Sequence, residues 1–165
     1  MRQLYYSVYL AYNTQGKRSS GQYKQFMSIH QCKIIELPKI TDPRGNLTFF
    51  ESNRHFPFEL KRVYYLYDIP AGSERGGHAH KQLQQLLIAI SGSFDVHLDD
   101  GNEQKIVHLN RPYQGLYICP MIWREIKNFS SGAVCLVMAS EFYAEEDYYR
   151  DYQEFILNSK NRKQQ

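Results

Sequence analysis

The stretch Gly72-Ser73-Glu74-Arg75-Gly76-Gly77-His78-Ala79-His80-Lys81-Gln82-Leu83-Gln84-Gln85-Leu86-Leu87-Ile88-Ala89-Ile90-Ser91-Gly92 is the most informative in the chain. Its second half is a short apolar run closed by the turn pair Ser91-Gly92, which reads as a buried strand. Its first half is polar and carries two histidines one residue apart. On an extended segment alternate side chains share a face, so His78 and His80 project together. Two imidazoles side by side suit either a metal or a proton-transfer site, whereas a bare His-x-His on a polar strand is more often a pair of surface side chains. The residues around the pair have to decide between these readings.

Outward from this stretch the signals remain strand-like. Strands are predicted at Cys32 to Leu37, Asn46 to Glu51, Lys61 to Tyr67, Gly77 to Lys81, Gln84 to Ile90, Ser93 to Leu98, Gln104 to Leu109, Tyr113 to Cys119, Arg124 to Asn128 and Ala133 to Ser140. Turn residues separate them at Asp42-Pro43-Arg44-Gly45, Ala71-Gly72, Asp99-Asp100-Gly101-Asn102 and Ser130-Ser131-Gly132. Many short strands punctuated in this way indicate an all-β sandwich or barrel. Alternation is clearest where Phe94, Val96 and Leu98 oppose Asp95, His97 and Asp99, one face buried and one wet. Only the end departs: Tyr148, Tyr152, Phe155 and Ile156 recur at helical spacing behind Glu145, Glu146 and Asp147, acids that suit a helix N-terminus, and predict a C-terminal amphipathic helix packed outside the β body.

Composition fixes the class. A chain of 165 residues with 42% hydrophobic content is one ordinary domain, able to bury about two-thirds of its unfolded surface. No apolar run reaches the ~18 residues of a spanning helix, so no membrane association is expected. Cys32, Cys119 and Cys135 are odd in number and lack Cys-x-x-Cys spacing, which suggests neither a disulfide framework nor a zinc site and fits a reducing cytoplasm. The net charge is +3, but residues 1–26 contribute Arg2, Lys17, Arg18 and Lys24 with no acid, so removing those four leaves −1 for the rest. The body is not basic, and nucleic acid is not an expected partner. Residues 1–26 read as an extension without a function of its own, with Met27 an alternative start, residues 27–157 as the domain, and 158–165 as a polar, fraying tail.

The spacing of Gly72, His78, His80, Gln85 and Gly92 resembles the first motif of the cupin barrels, and Gly115, Pro120, Arg124 and Asn128 echo the second. Two departures decide the chemistry. Gln85 stands at the position of the family's metal-binding carboxylate, and Arg124 at that of its last histidine ligand. A guanidinium has no lone pair to offer a metal. The residues therefore read as a cupin that binds no metal, in which His78 and His80 transfer protons. The preceding strand supports a site: Arg62, Tyr64 and Leu66 share one face, and an arginine on a central strand needs a partner, for which an anionic ligand would serve. Arg44 and Arg75 are further anion-binding candidates.

Taken together, Asp42-x-Arg44-Gly45, Lys61-Arg62-Val63-Tyr64-Tyr65, Arg75-Gly76-x-His78-Ala79-His80-Lys81, Asp99-Asp100-Gly101-Asn102 and the run from Ala139 to Tyr148 closely resemble the dTDP-4-oxo-6-deoxyglucose 3,4-ketoisomerases, over about Ile34 to Phe155. One local departure is Trp123-Arg124-Glu125, where the family often has a histidine in the middle. The resemblance implies an all-β, RmlC-like cupin, a double-stranded β-helix or jelly roll with a C-terminal helix. It implies a homodimer acting without a cofactor on a dTDP-linked 4-keto-6-deoxy sugar in the biosynthesis of 3-amino-3,6-dideoxy sugars. Carried over residue by residue, His78, His80 and Tyr64 would be catalytic, and Arg44, Arg62, Arg75, Gln85 and Arg124 would bind substrate. A dTDP-sugar 3,5-epimerase is the alternative within the superfamily, set lower because that family pairs its histidine with an aspartate. A non-catalytic nucleotide-sugar-binding cupin and a metal-dependent cupin oxygenase are the other readings, the latter opposed by Gln85 and Arg124.

Overall fold

A computed structural model describes residues 28–163; the expectations for residues 1–26 lie outside the described residues. The described residues fold into twelve strands and one α-helix: β1 (Lys33–Glu36), β2 (Lys39–Asp42), β3 (Gly45–Thr48), β4 (Arg62–Leu66), β5 (Arg75–His80), β6 (Gln85–Ser91), β7 (Phe94–Asp99), β8 (Gln104–Leu109), β9 (Gln114–Ile118), β10 (Trp123–Lys127), β11 (Val134–Ala139), β12 (Tyr148–Tyr149) and α1 (Tyr152–Lys163). Two five-stranded sheets, β1-β9-β6-β11-β4 and β12-β5-β10-β7-β8, face one another, and β2-β3 forms a separate hairpin. All the paired strands are antiparallel. This is the jelly roll expected from the resemblance.

The apolar core follows from the alternation. Phe94, Val96 and Leu98 of β7 are fully buried with Leu109, Leu116, Ile118, Ile126 and Val137. Asp99 and Asp100 close the β7–β8 hairpin: Asp99 Oδ1 accepts from Gly101 N at 2.6 Å, and Asp100 Oδ1 accepts from Asn102 N and Glu103 N. Such side-chain-to-backbone bonds stabilise turns locally. The outer face of the first sheet is also covered, because Phe56 and Phe58 lie buried there and Phe58 stacks on Tyr117 at 6.4 Å. That explains why Leu86, Leu87, Ile88 and Ala89 of β6 are all buried, on both faces of the sheet.

The helix packs outside the β body, as its periodicity predicted, with Phe155 against Trp123 at 5.8 Å. Its start differs from expectation. Glu145–Asp147 form a single 3-10 turn, Tyr148 lies on β12, and α1 begins at Tyr152. The reason is that Asp147 is committed elsewhere, its carboxylate accepting from Gln82 N and Leu83 N at the β5–β6 corner. Asp151 starts the helix instead, accepting from Glu154 N at 2.8 Å in the manner of an N-cap. The helix runs to Lys163, through polar residues expected to fray. A second difference is the hairpin β2–β3: the chain pairs Lys39–Asp42 with Gly45–Thr48, and residues 49–51 leave the strand to join the outer covering.

The strand that carries the histidines is bulged. Arg124 pairs with His78 but Glu125 pairs with Gly76, so Gly77 is an extra residue on β5. Gly76 and Gly77 both have positive φ, 87° and 66°, a conformation open to glycine at little cost. At Gly76 space is also lacking, since a Cβ there would lie 2.7 Å from the Arg124 carbonyl oxygen. Gly76→Ala is therefore expected to destabilise the protein by about 1–3 kcal/mol, read as a lower urea midpoint, and to weaken the pairing that sets His78 opposite Arg124.

Candidate active site

Strands β5 and β10 of one sheet and β4 and β6 of the other bring most of the predicted residues into one cluster. His78 and His80 sit on β5 with ring centroids 4.9 Å apart, roughly perpendicular. Arg124 on β10 is the direct cross-strand partner of His78. From the opposite sheet, Tyr64 on β4 and Gln85 on β6 face inward, and Gln85 Nε2 donates to the Tyr64 hydroxyl at 2.9 Å. Arg62 lies two residues before Tyr64 on the same face, its guanidinium 5.2 Å from the Tyr64 ring and 5.5 Å from that of Tyr143. Six of the eight residues predicted for the site thus come together.

The other two do not. Arg44 is at the tip of the β2–β3 hairpin, its side chain 90% exposed and bound through Nε and Nη2 to the Asp42 carboxylate. Arg75 opens β5 and is exposed. Neither has a contact with the histidine cluster among the described residues.

The structure adds residues that the motifs had not assigned. Asp147 Oδ2 lies 3.0 Å from His80 Nδ1, and Tyr148, opposite His80 on β12, packs its ring 4.3 Å from His80 and 5.0 Å from His78. Arg150 stacks on Tyr148 at 4.4 Å and is itself held by Glu145. Both Asp147 and Tyr148 fall within the Ala139–Tyr148 run singled out from sequence, but helical spacing had drawn Tyr148 onto the helix. The His80–Asp147 pair also corrects an argument. Pairing of the histidine with an aspartate, the feature that sets the epimerase reading lower, is present in this chain, so that criterion does not separate the two reactions.

The electrostatics follow from burial. Arg124 is 2% exposed, and none of its three guanidinium nitrogens has a hydrogen-bond partner. Burial lowers its pKa to about 10, which leaves it cationic at neutral pH. Burial first, and Arg124 second, push His78 down to about 4 and hold His80 well below the usual imidazole range. The Asp147 carboxylate opposes this at His80, but a fully enclosed ring beside a guanidinium stays neutral. It therefore donates its one proton from Nδ1 to Asp147 and leaves Nε2 bare. The Nε2 of His78, like that of His80, is buried without a partner. Burial raises Tyr64 to about 12. Its oxygen accepts from Gln85, so its own proton is free to point into the cluster.

Two bare imidazole nitrogens, a protonated phenol and an unpaired guanidinium thus form a site equipped to take a proton from carbon, return it, and stabilise the oxyanion that appears between. Among the described residues no cluster of three His, Cys, Asp or Glu side chains could hold a metal ion. The depressed histidine has a consequence for stability. Between about pH 6.5 and 4 the unfolded chain binds the His78 proton and the folded chain does not, so stability falls as pH falls through that window. Histidine NMR titration should show His78 neutral down to about pH 4, and urea midpoints should decline over the same range.

Comparison with known proteins agrees with this arrangement. The family model described as FdtA: WxcM-like, C-terminal matches residues 30–160. The chain is 46% identical over 123 residues, 74% of its length and 88% of the relative's, to a TDP-4-oxo-6-deoxy-alpha-D-glucose-3,4-oxoisomerase of Aneurinibacillus thermoaerophilus. Among solved structures, QdtA, a sugar 3,4-ketoisomerase from Thermoanaerobacterium thermosaccharolyticum in complex with TDP, superposes with TM-score 0.80 at 42% identity, covering 82% of this chain and 98% of that one. The WlaRB TDP-quinovose 3,4-ketoisomerase of Campylobacter jejuni is 52% identical with TM-score 0.74, covering 77% of this chain and 98% of that one. A family match across both sheets and the strap that carries Asp147, together with a curated relative at this identity, places the chain in the FdtA family of WxcM-like proteins.

Proposed function

We propose that this protein is a sugar-nucleotide 3,4-ketoisomerase that converts dTDP-4-keto-6-deoxyglucose to the dTDP-3-keto-6-deoxyhexose, a precursor of 3-amino-3,6-dideoxy sugars. The observation that carries the reading is the meeting of two unpartnered, neutral imidazole Nε2 atoms with the unpaired, buried Arg124. Buried donors and lone pairs without protein partners call for a polar ligand.

In the first step an Nε2 lone pair takes the C3 proton, which the adjacent C4 ketone acidifies. The electron pair moves into a C3–C4 double bond, and the C4 oxygen becomes an oxyanion facing Arg124. In the second, the C3 hydroxyl loses its proton as the ketone forms there, the C4 oxygen is protonated, and the imidazolium returns a proton to C4. Nothing is gained or lost, which is why residues alone suffice. Asp147 fixes the His80 tautomer, and Tyr64 can donate to either sugar oxygen. Arg62, with Nε and Nη2 buried and unpartnered, is the arginine best arranged for the diphosphate, a group that its planar fork suits. Arg44 and Arg75 have no such arrangement. The 52% identity to a protein named for TDP-quinovose supports a product with the gluco configuration at C4. The protein acts as a homodimer in this reading, supported by exposed Ile40 and Leu47 on the hairpin and Val63 and Tyr65 on the β4 edge.

His78→Asn and His80→Asn are each expected to lower turnover by about two orders of magnitude or more with unchanged circular dichroism; full activity in both would overturn the assignment. Proton NMR of dTDP-4-keto-6-deoxyglucose incubated with chelator-treated protein in D2O should show a 3-keto sugar bearing deuterium at C4, its ring couplings giving the C4 configuration. Exchange at C3 and C5 with the ketone still at C4 would instead mark an epimerase, and binding without exchange a non-catalytic module.

A further inference from the structure

Away from the histidines the fold brings together two thiols that are 87 positions apart in the chain. Cys32 Sγ and Cys119 Sγ lie 3.9 Å from one another. Cys32 directly precedes β1 and Cys119 directly follows β9, and the register of that pair, Lys33 with Tyr117, puts Cys119 one residue past the position opposite Cys32 at the end of the ladder. Both are free thiols, and each is only 1% exposed. The third cysteine, Cys135, is buried on β11 and has no thiol partner among the described residues. A contact of this length lies about 2 Å outside a sulfur–sulfur bond, a gap that small side-chain rotations on adjacent strands can close.

We propose that Cys32 and Cys119 are a reversible modification site, a dithiol that a hydroperoxide converts to an intramolecular disulfide. The environment divides the roles. The two thiols share a hydrogen bond in which either can donate, and Cys119 Sγ also donates to the Ser28 carbonyl at 3.7 Å. Contact with Cys119 lowers the Cys32 thiol against the effect of burial, with help from the positive charges of Arg124 and Lys105, while contact with Cys32 and burial both raise Cys119. The Cys32 thiolate attacks a peroxide oxygen, the O–O bond breaks, and hydroxide leaves with a sulfenic acid on Cys32. Cys119 then attacks that sulfur, the S–O bond breaks, and water leaves as the S–S bond forms. Overall two thiols are oxidised and one hydrogen peroxide is reduced to two waters. The couple sits at the foot of the turn from Cys119 to Arg124, whose Met121 amide donates to the His80 carbonyl at 2.7 Å.

The test uses the full-length chain, reduced and then exposed to hydrogen peroxide, unfolded in N-ethylmaleimide and digested for mass spectrometry. The expected result is a peptide pair linked through Cys32 and Cys119, lighter by two hydrogens, unlabelled, and restored to labelling by a phosphine reductant, with Cys135 alkylated throughout. Cys119→Ser and, independently, Cys32→Ala should each abolish the link. Alkylation of all three cysteines after peroxide treatment, oxidation of Cys32 to a sulfinic acid without a link, or links only between chains would overturn the proposal. None of these readings depends on isomerase activity.

Discussion

A positive charge kept in a dry interior without a counter-ion is the constraint on which the rest of this structure depends. Removing an ion from water costs several kcal/mol even after relaxation, and among the described residues no carboxylate bonds to the Arg124 guanidinium to offset it. The barrel supports that cost through its extent, with two sheets and an outer aromatic cover burying β6 on both sides. In return, the charge acts on everything near it. It holds His78 and His80 neutral and lowers the cost of negative charge on any ligand oxygen brought into the cluster. A carboxylate partner would pair Arg124 and spoil both effects.

The second dependence is on the strap of residues 145–150. Glu145 clamps Arg150, Arg150 stacks on Tyr148, Tyr148 covers both imidazoles, and Asp147 holds His80 by Nδ1. Lys81 N donates to the Asp147 carbonyl, and Lys81 Nζ to that of Glu146, so the strap is tied to β5 by main chain as well as by side chain. One short segment thus sets both the orientation and the surroundings of the proton-transfer pair.

Much of this was legible in the sequence, and the limits have physical causes. Period-two alternation located most of the strands, and same-face geometry put His78 with His80 and Arg62 with Tyr64, because both arguments need only local backbone geometry. That Gln85 cannot replace a carboxylate ligand, nor Arg124 a histidine ligand, was a matter of residue chemistry alone. Sequence reasoning failed where a side chain's use is fixed by a distant partner. Asp147 looks like a helix-start acid until the amides of Gln82 and Leu83, more than sixty residues earlier, are seen to claim it. The signal that could have corrected this was present: Asp151 with Glu154 three residues later is a capping pattern, and it starts the helix after the strap. Arg44 failed for the opposite reason: its partner is local, since Asp42, two residues earlier in the same turn, occupies the guanidinium that was assigned to substrate.

The position of Asp147 on the strap also bears on how the protein matures. A domain generally folds as a unit once enough of it has been synthesised, and Asp147, which bonds to His80, comes late in the chain. β4, β5, β6 and β10, and with them Arg62, Tyr64, both histidines, Gln85 and Arg124, are all synthesised before it. The acceptor that fixes the His80 tautomer therefore reaches the site only with the strap that leads into β12 on the edge of β5, so proton-transfer competence reports that the chain has been made at least as far as β12.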